Sequence, residues 1–267
     1  MKNKKALFKL LLAATVTLAI FGLSSCGKSV INEHAIAEKF DHIQITADTA
    51  DVNVIPTDGA CRVVCNETNK LTHGVTVENG VLKIQVTDTR SGLGKIFTPE
   101  TSVTVYLPTA DYTTLAIKVD TGDVSVSGIT FTSSVSAKID TGDVELKGVK
   151  ASEIALSTDT GEVDCEDVSC TILAAKTETG EISLNGVIAD GKFDIVSETG
   201  DVEFEGCDAA SVFIKTETGD VEGSFLSDKI IFAETDTGEK DYPYLTSGGK
   251  CEITTETGDI KISIRKK

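Results

Sequence analysis

The sequence predicts an all-β, single-domain β-solenoid with roughly 19 to 20 residues per coil, and three observations predict it. Thr-Gly followed by Asp or Glu recurs at Thr121, Thr141, Thr160, Thr179, Thr199, Thr218, Thr237 and Thr257, at spacings of 20, 19, 19, 20, 19, 19 and 20 residues. A fixed period of this size marks an array of stacked supersecondary units. Apolar residues hold fixed columns in nearly every repeat, two residues apart, which is strand rather than helix spacing. Aromatics make up only 5% of the chain and Trp is absent, so the interior is built for stacked Val, Ile and Leu.

Each element of the repeat follows from its columns. Six residues before the Thr stand Val135, Ile154, Leu173, Phe193, Val212, Ile231 and Cys251; four before it stand Ala137, Leu156, Ala175, Ile195, Ile214, Ala233 and Ile253. Three after it come Val124, Val144, Val163, Ile182, Val202, Val221 and Ile260, with Lys240 as the exception. Five after it are Val126, Leu146, Cys165, Leu184, Phe204 and Ile262, with Gly223 and Tyr242 in looser turns. The Thr-Gly pair makes a corner between two strands, since Gly takes positive φ without steric cost. A second Gly, at Gly128, Gly148, Gly186 and Gly206, reads as the next corner.

The regular array is preceded by looser strands. Ile43, Ile45 and Ala47, then Val52 and Val54, fit the template with Ala50 in place of the corner Gly, as a first degenerate coil. Pro56-Thr57-Asp58-Gly59 and Glu78-Asn79-Gly80 read as turns around further strands, one of which Pro108 stops. The segment Thr87 to Glu100 interrupts the strands as a loop carrying Leu93, Ile96 and Phe97, and Asp241 to Lys250 is a second loop with Tyr242 and Tyr244.

The amino terminus is read apart from the fold. Lys2, Lys4, Lys5 and Lys9 precede an apolar run from Leu10 to Gly22, the pattern of a bacterial secretory signal over residues 1–25. The run is short for a spanning helix. It ends in Leu23-Ser24-Ser25-Cys26-Gly27, which resembles the lipobox of bacterial lipoproteins. The resemblance implies cleavage before Cys26, a diacylglyceryl group on Cys26, and an extracytoplasmic protein held to the membrane through that anchor. Residues 26–39 read as a tether or amino-terminal cap with weak helical character around Glu33 to Glu38, and residues 40–267 as the solenoid.

The tract from Phe40 to Ile264 resembles the bacterial putative-adhesin family, close to the head GIN group. The resemblance rests on Thr49-Ala50-Asp51-Val52-Asn53-Val54, Asn79-Gly80-Val81-Leu82-Lys83-Ile84, Val103 to Pro108, and Leu115 to Val124. It implies a cell-envelope β-solenoid that binds or scaffolds, with no established functional residues to carry over.

Composition and motifs narrow the function classes. Net charge is −17, and without residues 1–25 there are 21 basic residues against 42 acidic ones. Such a surface repels nucleic acid and anionic headgroups, leaving cations, an envelope protein or a neutral glycan as partners. Only Arg62, Arg90 and Arg265 exist, none in the regular array, and no nucleophile–base set or phosphate loop is evident, so the chain reads as a non-enzyme without a resident cofactor. A polysaccharide-active enzyme of the β-helix type is the alternative, to be recognised by a groove holding a basic residue beside acids. Cys165, Cys207 and Cys251 occupy apolar columns and read as buried thiols. Cys61 and Cys65 stand about 13 Å apart on an extended strand, too far to bridge, whereas Cys165 and Cys170 can meet across a corner. The three His (His34, His42 and His73) all lie near the amino terminus, which disfavours metal binding by the cysteines.

The acidic columns are the functional lead. One acid precedes each Thr, and a second stands two after it at Asp123, Asp143, Glu162, Glu181, Asp201, Asp220, Glu239 and Asp259. Carboxylates lining one edge suit Ca²⁺, which takes oxygen ligands in flexible geometry, and suggest a calcium-dependent glycan-binding module. Free exchange of Asp for Glu suits a solvated polar corner instead. Lys118, Lys138, Lys176 and Lys215 alternate onto the outward face of the preceding acid, and the column two after Thr lacks such a partner.

Overall fold

A computed structural model describes residues 17–19, 30–68, 70–88 and 101–265, which are strand, turn and bend, without helix. Cys26 and most of the Thr87 to Glu100 loop lie outside these residues. Successive coils stack as two ladders of parallel strands with their apolar faces toward each other.

The strand after each Thr-Gly builds the front ladder. Val124–Ser127, Val144–Lys147, Val163–Glu166 and Ile182–Asn185 pair in parallel, with Val124, Val144, Val163, Ile182 and Val202 in one row. The strand before it builds the back ladder, from Tyr112–Thr121 through Phe131–Thr141, Glu153–Thr160 and Ser169–Thr179 to Ile188–Thr199, with Thr121, Thr141, Thr160, Thr179 and Thr199 in register. This register follows from the period-two alternation: a one-residue slip would turn every Val and Ile out to solvent. Val135, Ile154, Leu173, Phe193 and Val212 are all at most 3% exposed, so the first column is core. Cys165, Cys207 and Cys251 are buried in their columns, and all six described cysteines are free, Cys165 and Cys170 included.

Stacking departs from chain order at both ends. The coil of His42–Thr49 and Asp51–Thr57 does not lie outermost. It is sandwiched between Tyr112–Thr121 with Val124–Ser127 on one side and Val81–Asp88 with Ser102–Pro108 on the other. At the other end Gly249–Thr257 and Ile260–Ile264 slip between the Val202–Lys215 and Val221–Phe225 coil and the coil of Lys229–Thr237 and Lys240–Asp241. The outermost coil is therefore the one carrying Lys240 and Tyr242, the exceptions to the apolar columns. Its inward face is incompletely covered, and its exposed Glu234, Asp236, Glu239, Lys240 and Asp241 discourage edge-to-edge pairing.

The amino end is closed by antiparallel strands. Leu71–Glu78 folds back on Val81–Asp88 through Asn79 (φ 53°) and Gly80 (φ 79°), two consecutive positive φ angles as a tight hairpin requires. Arg62–Glu67 runs antiparallel to Ser102–Pro108 and carries Val30–Ala35 on its far side. The weak helical character expected around Glu33 to Glu38 is not realised. Val30–Ala35 is a strand, because the edge of Arg62–Glu67 supplies hydrogen-bond partners that a helix of this length could not match. Thr17–Ala19 pairs in turn with Asn32–His34.

Candidate functional site

The Thr-Gly-acid corner is held by three backbone-directed rows. Gly122, Gly142, Gly161, Gly180, Gly200, Gly219, Gly238 and Gly258 lie directly over one another, and a β-carbon on Gly161 would stand 2.0 Å from the Gly142 carbonyl oxygen. Ala50 fills the equivalent place where the first coil lacks the Gly, and its carbonyl meets Gly122. A second row was not apparent in the columns above: two residues before the Thr, buried hydroxyls donate to the Gly carbonyl of the neighbouring coil. Thr158 Oγ1 reaches Gly142 O at 2.9 Å, Thr177 reaches Gly161 O at 3.1 Å, Thr216 reaches Gly200 O at 3.2 Å, and Thr255 reaches Gly219 O at 3.0 Å. The corner Gly exposes its carbonyl to the interior, and a buried acceptor must be paired.

The third row is the acidic column two after Thr. Asp123 Oδ1 accepts from Asp143 N at 3.0 Å, Asp143 Oδ1 from Glu162 N at 2.8 Å, and Asp201 Oδ1 from Asp220 N at 2.8 Å. Asp220 Oδ1 accepts from Asp259 N at 2.7 Å, and Asp259 Oδ1 from Glu239 N at 2.8 Å, following the exchanged order of the last coils. Asp51 begins the row by accepting from Asp123 N at 3.1 Å. Glu162 and Glu181, one methylene longer, do not reach the next coil's amide. The Asp carboxylates thus have a structural task, and the Asp–Glu exchange is not neutral. The eight acids are spread one per coil along the corner. Among the described residues, ligand atoms of three metal-binding types converge within 4.8 Å elsewhere, at His34, Cys65 and Glu67.

The outward face of the front ladder adjoins this corner and concentrates charge. Ser125, Glu145, Asp164, Ser183, Glu203 and Glu222 stack in register along it. Burial, then the charges of Glu162, Glu145 and Asp143, push the Asp164 carboxyl above its ordinary range. Burial, then Glu203, Glu162, Asp201 and Asp164, do the same to Glu181. A cleft of about 470 Å³ opens on this face, lined by Ser183, Asn185, Glu205, Glu222, Lys261 and Arg265 among others.

That cleft does place basic residues beside acids. Lys261 Nζ bonds Glu222 at 2.7 Å and Arg265 pairs with Glu205. The hydrogen bond that Lys261 donates to Glu222, and the charge of that carboxylate, raise the Lys261 pKa, which keeps the amine protonated and makes it a poor general base. Arg62, the other described arginine, lies 3.7 Å from the Tyr106 ring and 3.8 Å from Glu33. The face thus offers acceptors and fixed ion pairs for hydroxyls and cations. A second groove, of about 340 Å³, crosses the outer back ladder over Ser136, Ala155, Ala174 and Asp194. The Lys–acid alternation expected outside is present, with Lys176 3.8 Å from Glu198 and Lys215 3.9 Å from Glu217.

A model of the Toastrack DUF4097 family matches residues 40–225 and again 173–267. Two overlapping matches are natural where one coil resembles the next. No curated protein matches in sequence. The crystal structure of a putative lipid binding protein from Parabacteroides distasonis aligns with a TM-score of 0.59 at 16% identity, over 89% of this chain and 98% of that one, and shares its fold. A putative adhesin from Bacteroides fragilis aligns at 13% identity, TM-score 0.47, over 91% of this chain and all of that one. Another putative adhesin from Parabacteroides distasonis aligns at 11% identity, TM-score 0.44, over 88% and 97%.

Proposed function

We propose, from the premise that the chain belongs to the Toastrack DUF4097 family, that it is a lipoprotein of the bacterial envelope, anchored at Cys26, whose single β-solenoid binds or scaffolds without catalysis. The observation that carries the reading is the acidic front face with its open cleft beside Glu205 and Glu222. The ladder holds Glu145, Asp164, Glu203 and Glu222 in register along one face, which suits an extended ligand presenting hydroxyls or cations along its length. The calcium-dependent form of this reading draws on the raised pKa values of Asp164 and Glu181, which mark where negative charge is most crowded.

The test is capture of cell-wall fractions by the mature protein, with and without Ca²⁺. Retention lost on Glu203→Gln with Glu222→Gln supports the front face, and retention lost with chelator supports the calcium-dependent form. Equal retention by the variant rejects the front face as the binding surface. Fractionation tests the anchor: Cys26→Ala should move the protein out of the membrane fraction.

A further inference from the structure

We propose that the amino-terminal cap holds a divalent transition-metal ion of zinc's kind, ligated by His34, Cys65 and Glu67. This is independent of the front face, and neither idea falls with the other.

The strands bring these residues together by alternation. Val63, Cys65 and Glu67 point inward, at 0%, 0% and 3% exposure. Antiparallel pairing sets Asn32 opposite Cys65 and His34 opposite Val63, so Asn32 and His34 share that inward face. A ring nitrogen of His34, the Cys65 sulfur and a Glu67 oxygen consequently lie within 4.8 Å of one another. His73 comes from the other ladder, on Leu71–Glu78, and its Nδ1 lies 3.2 Å from Glu67 Oε1. The His73 side chain is fully buried and that of Glu67 nearly so.

Two features distinguish this cluster from a self-sufficient polar plug. Nε2 of His34 and Nε2 of His73 are both buried without a hydrogen-bond partner. A buried ring nitrogen left unpaired is unfavourable, so two in one cap call for an acceptor of their lone pairs or a donor to them. The ligand set also has a chemical identity. Imidazole, thiolate and carboxylate together suit Zn²⁺, which in a three-ligand site keeps a fourth position for water. Ca²⁺ and Mg²⁺ take oxygens and have no use for Cys65. The carboxylate has capacity to spare: Oε1 receives the His73 backbone N–H and faces Nδ1, Oε2 receives Asn32 Nδ2, and lone pairs remain. Asn32 and His73 thus act as positioning residues that orient Glu67.

Binding balances simply. The Cys65 thiol proton leaves to solvent as the metal–sulfur bond forms, and His34 coordinates as neutral imidazole. Burial pushes the free Cys65 thiol up to about 12, with Glu67 adding to the rise, and a bound cation reverses that.

The experiment uses the mature chain and Co²⁺ as the spectroscopic probe, with Zn²⁺ as competitor. Co²⁺ should give a thiolate-to-metal charge-transfer band at one equivalent, removed by Zn²⁺ and absent in Cys65→Ser. Cys165→Ser, in the distant core, should retain it. His73→Gln should weaken binding by roughly 10- to 100-fold, as loss of an outer-shell partner does. Should Cys65→Ser fail to fold, mapped alkylation of the wild-type protein serves instead: Zn²⁺ should slow labelling of Cys65 at least tenfold and leave Cys165 unchanged. A folded wild-type protein without a charge-transfer band, or Cys65 labelling indifferent to Zn²⁺, overturns the proposal.

Discussion

Gly161 sits so close above Gly142 that any side chain there would stand 2.0 Å from the Gly142 carbonyl oxygen, at a φ of 147°. The contact explains the repeat better than turn propensity does. Gly is required at the corners of the regular array because backbone stacks on backbone with no room for a β-carbon, and Ala50 takes the place only in the first coil. Gly161→Ala should therefore destabilise by at least the roughly 1–3 kcal/mol that a non-Gly residue in this region costs, and urea denaturation reads it as a lower midpoint. A midpoint matching wild type would mean that the corner relaxes freely.

The Asp row separates hydrogen bonding from charge. Asp143→Asn keeps an acceptor for Glu162 N and removes one repelling charge, so its melting temperature should equal or exceed that of wild type. Asp143→Ala abandons that amide, now at 2.8 Å, and should cost about 1 kcal/mol. Should the two variants melt alike, the row is decoration. Melts at matched ionic strength in NaCl and CaCl₂ add the cation arm: a specific calcium gain should vanish in Asp123→Asn with Asp143→Asn.

Near the carboxyl end a charge is buried. Lys229 is 1% exposed, pairs with Asp208, bonds Ser227 Oγ at 2.6 Å and lies 5.3 Å from the Phe225 ring. Asp208→Ala strands the ammonium and should cost about 3 kcal/mol. Asp208→Ala with Lys229→Met should recover most of that loss in a chemical melt.

Stability should rise on mild acidification of the array. Asp164 and Glu181 have folded pKa values raised above 3.8 and 4.5, so above those raised values their ionised forms weaken the fold. As pH falls through them the folded state binds more protons than the unfolded one, and the penalty disappears toward the unfolded values. Wild type should gain stability as pH falls from 7 toward those unfolded values, relative to Asp164→Asn with Glu181→Gln, whose profile should be flatter. Parallel profiles would remove these two carboxyls as the cause.

The core cysteines should be inert in the folded state. Burial pushes Cys207 up to about 11 and Cys251 up to about 12. Thiol labelling at pH 8 should be slow until denaturant is added, and rapid native labelling of Cys207 or Cys251 would contradict their inward placement.

Much of this molecule is written locally. The strands, their buried faces, the corners and the acidic edge all follow from period-two alternation and the spacing of Thr-Gly, because each coil repeats the environment of the last. Even the Lys240 exception was visible, though not its reason. Tertiary structure decided what depends on partners distant in the chain. Lys240 is tolerated because Cys251, Ile253, Ile260 and Ile262 slip beneath its coil and leave it outermost. The Thr158 to Thr255 hydroxyls looked like ordinary strand polarity until the Gly carbonyls of the next coil stood above them. His34, Cys65, Glu67 and His73 are separated by up to 39 residues, and in sequence alone the histidines, all near the amino terminus, disfavour a metal. Antiparallel pairing at the cap, which obeys no repeat, brings His34, Cys65 and Glu67 within 4.8 Å of one another, with His73 beside Glu67. Sequence period sets what a coil is made of, while the order in which coils meet is a choice between long-range pairings of similar strands, settled by which coil can leave a face to water.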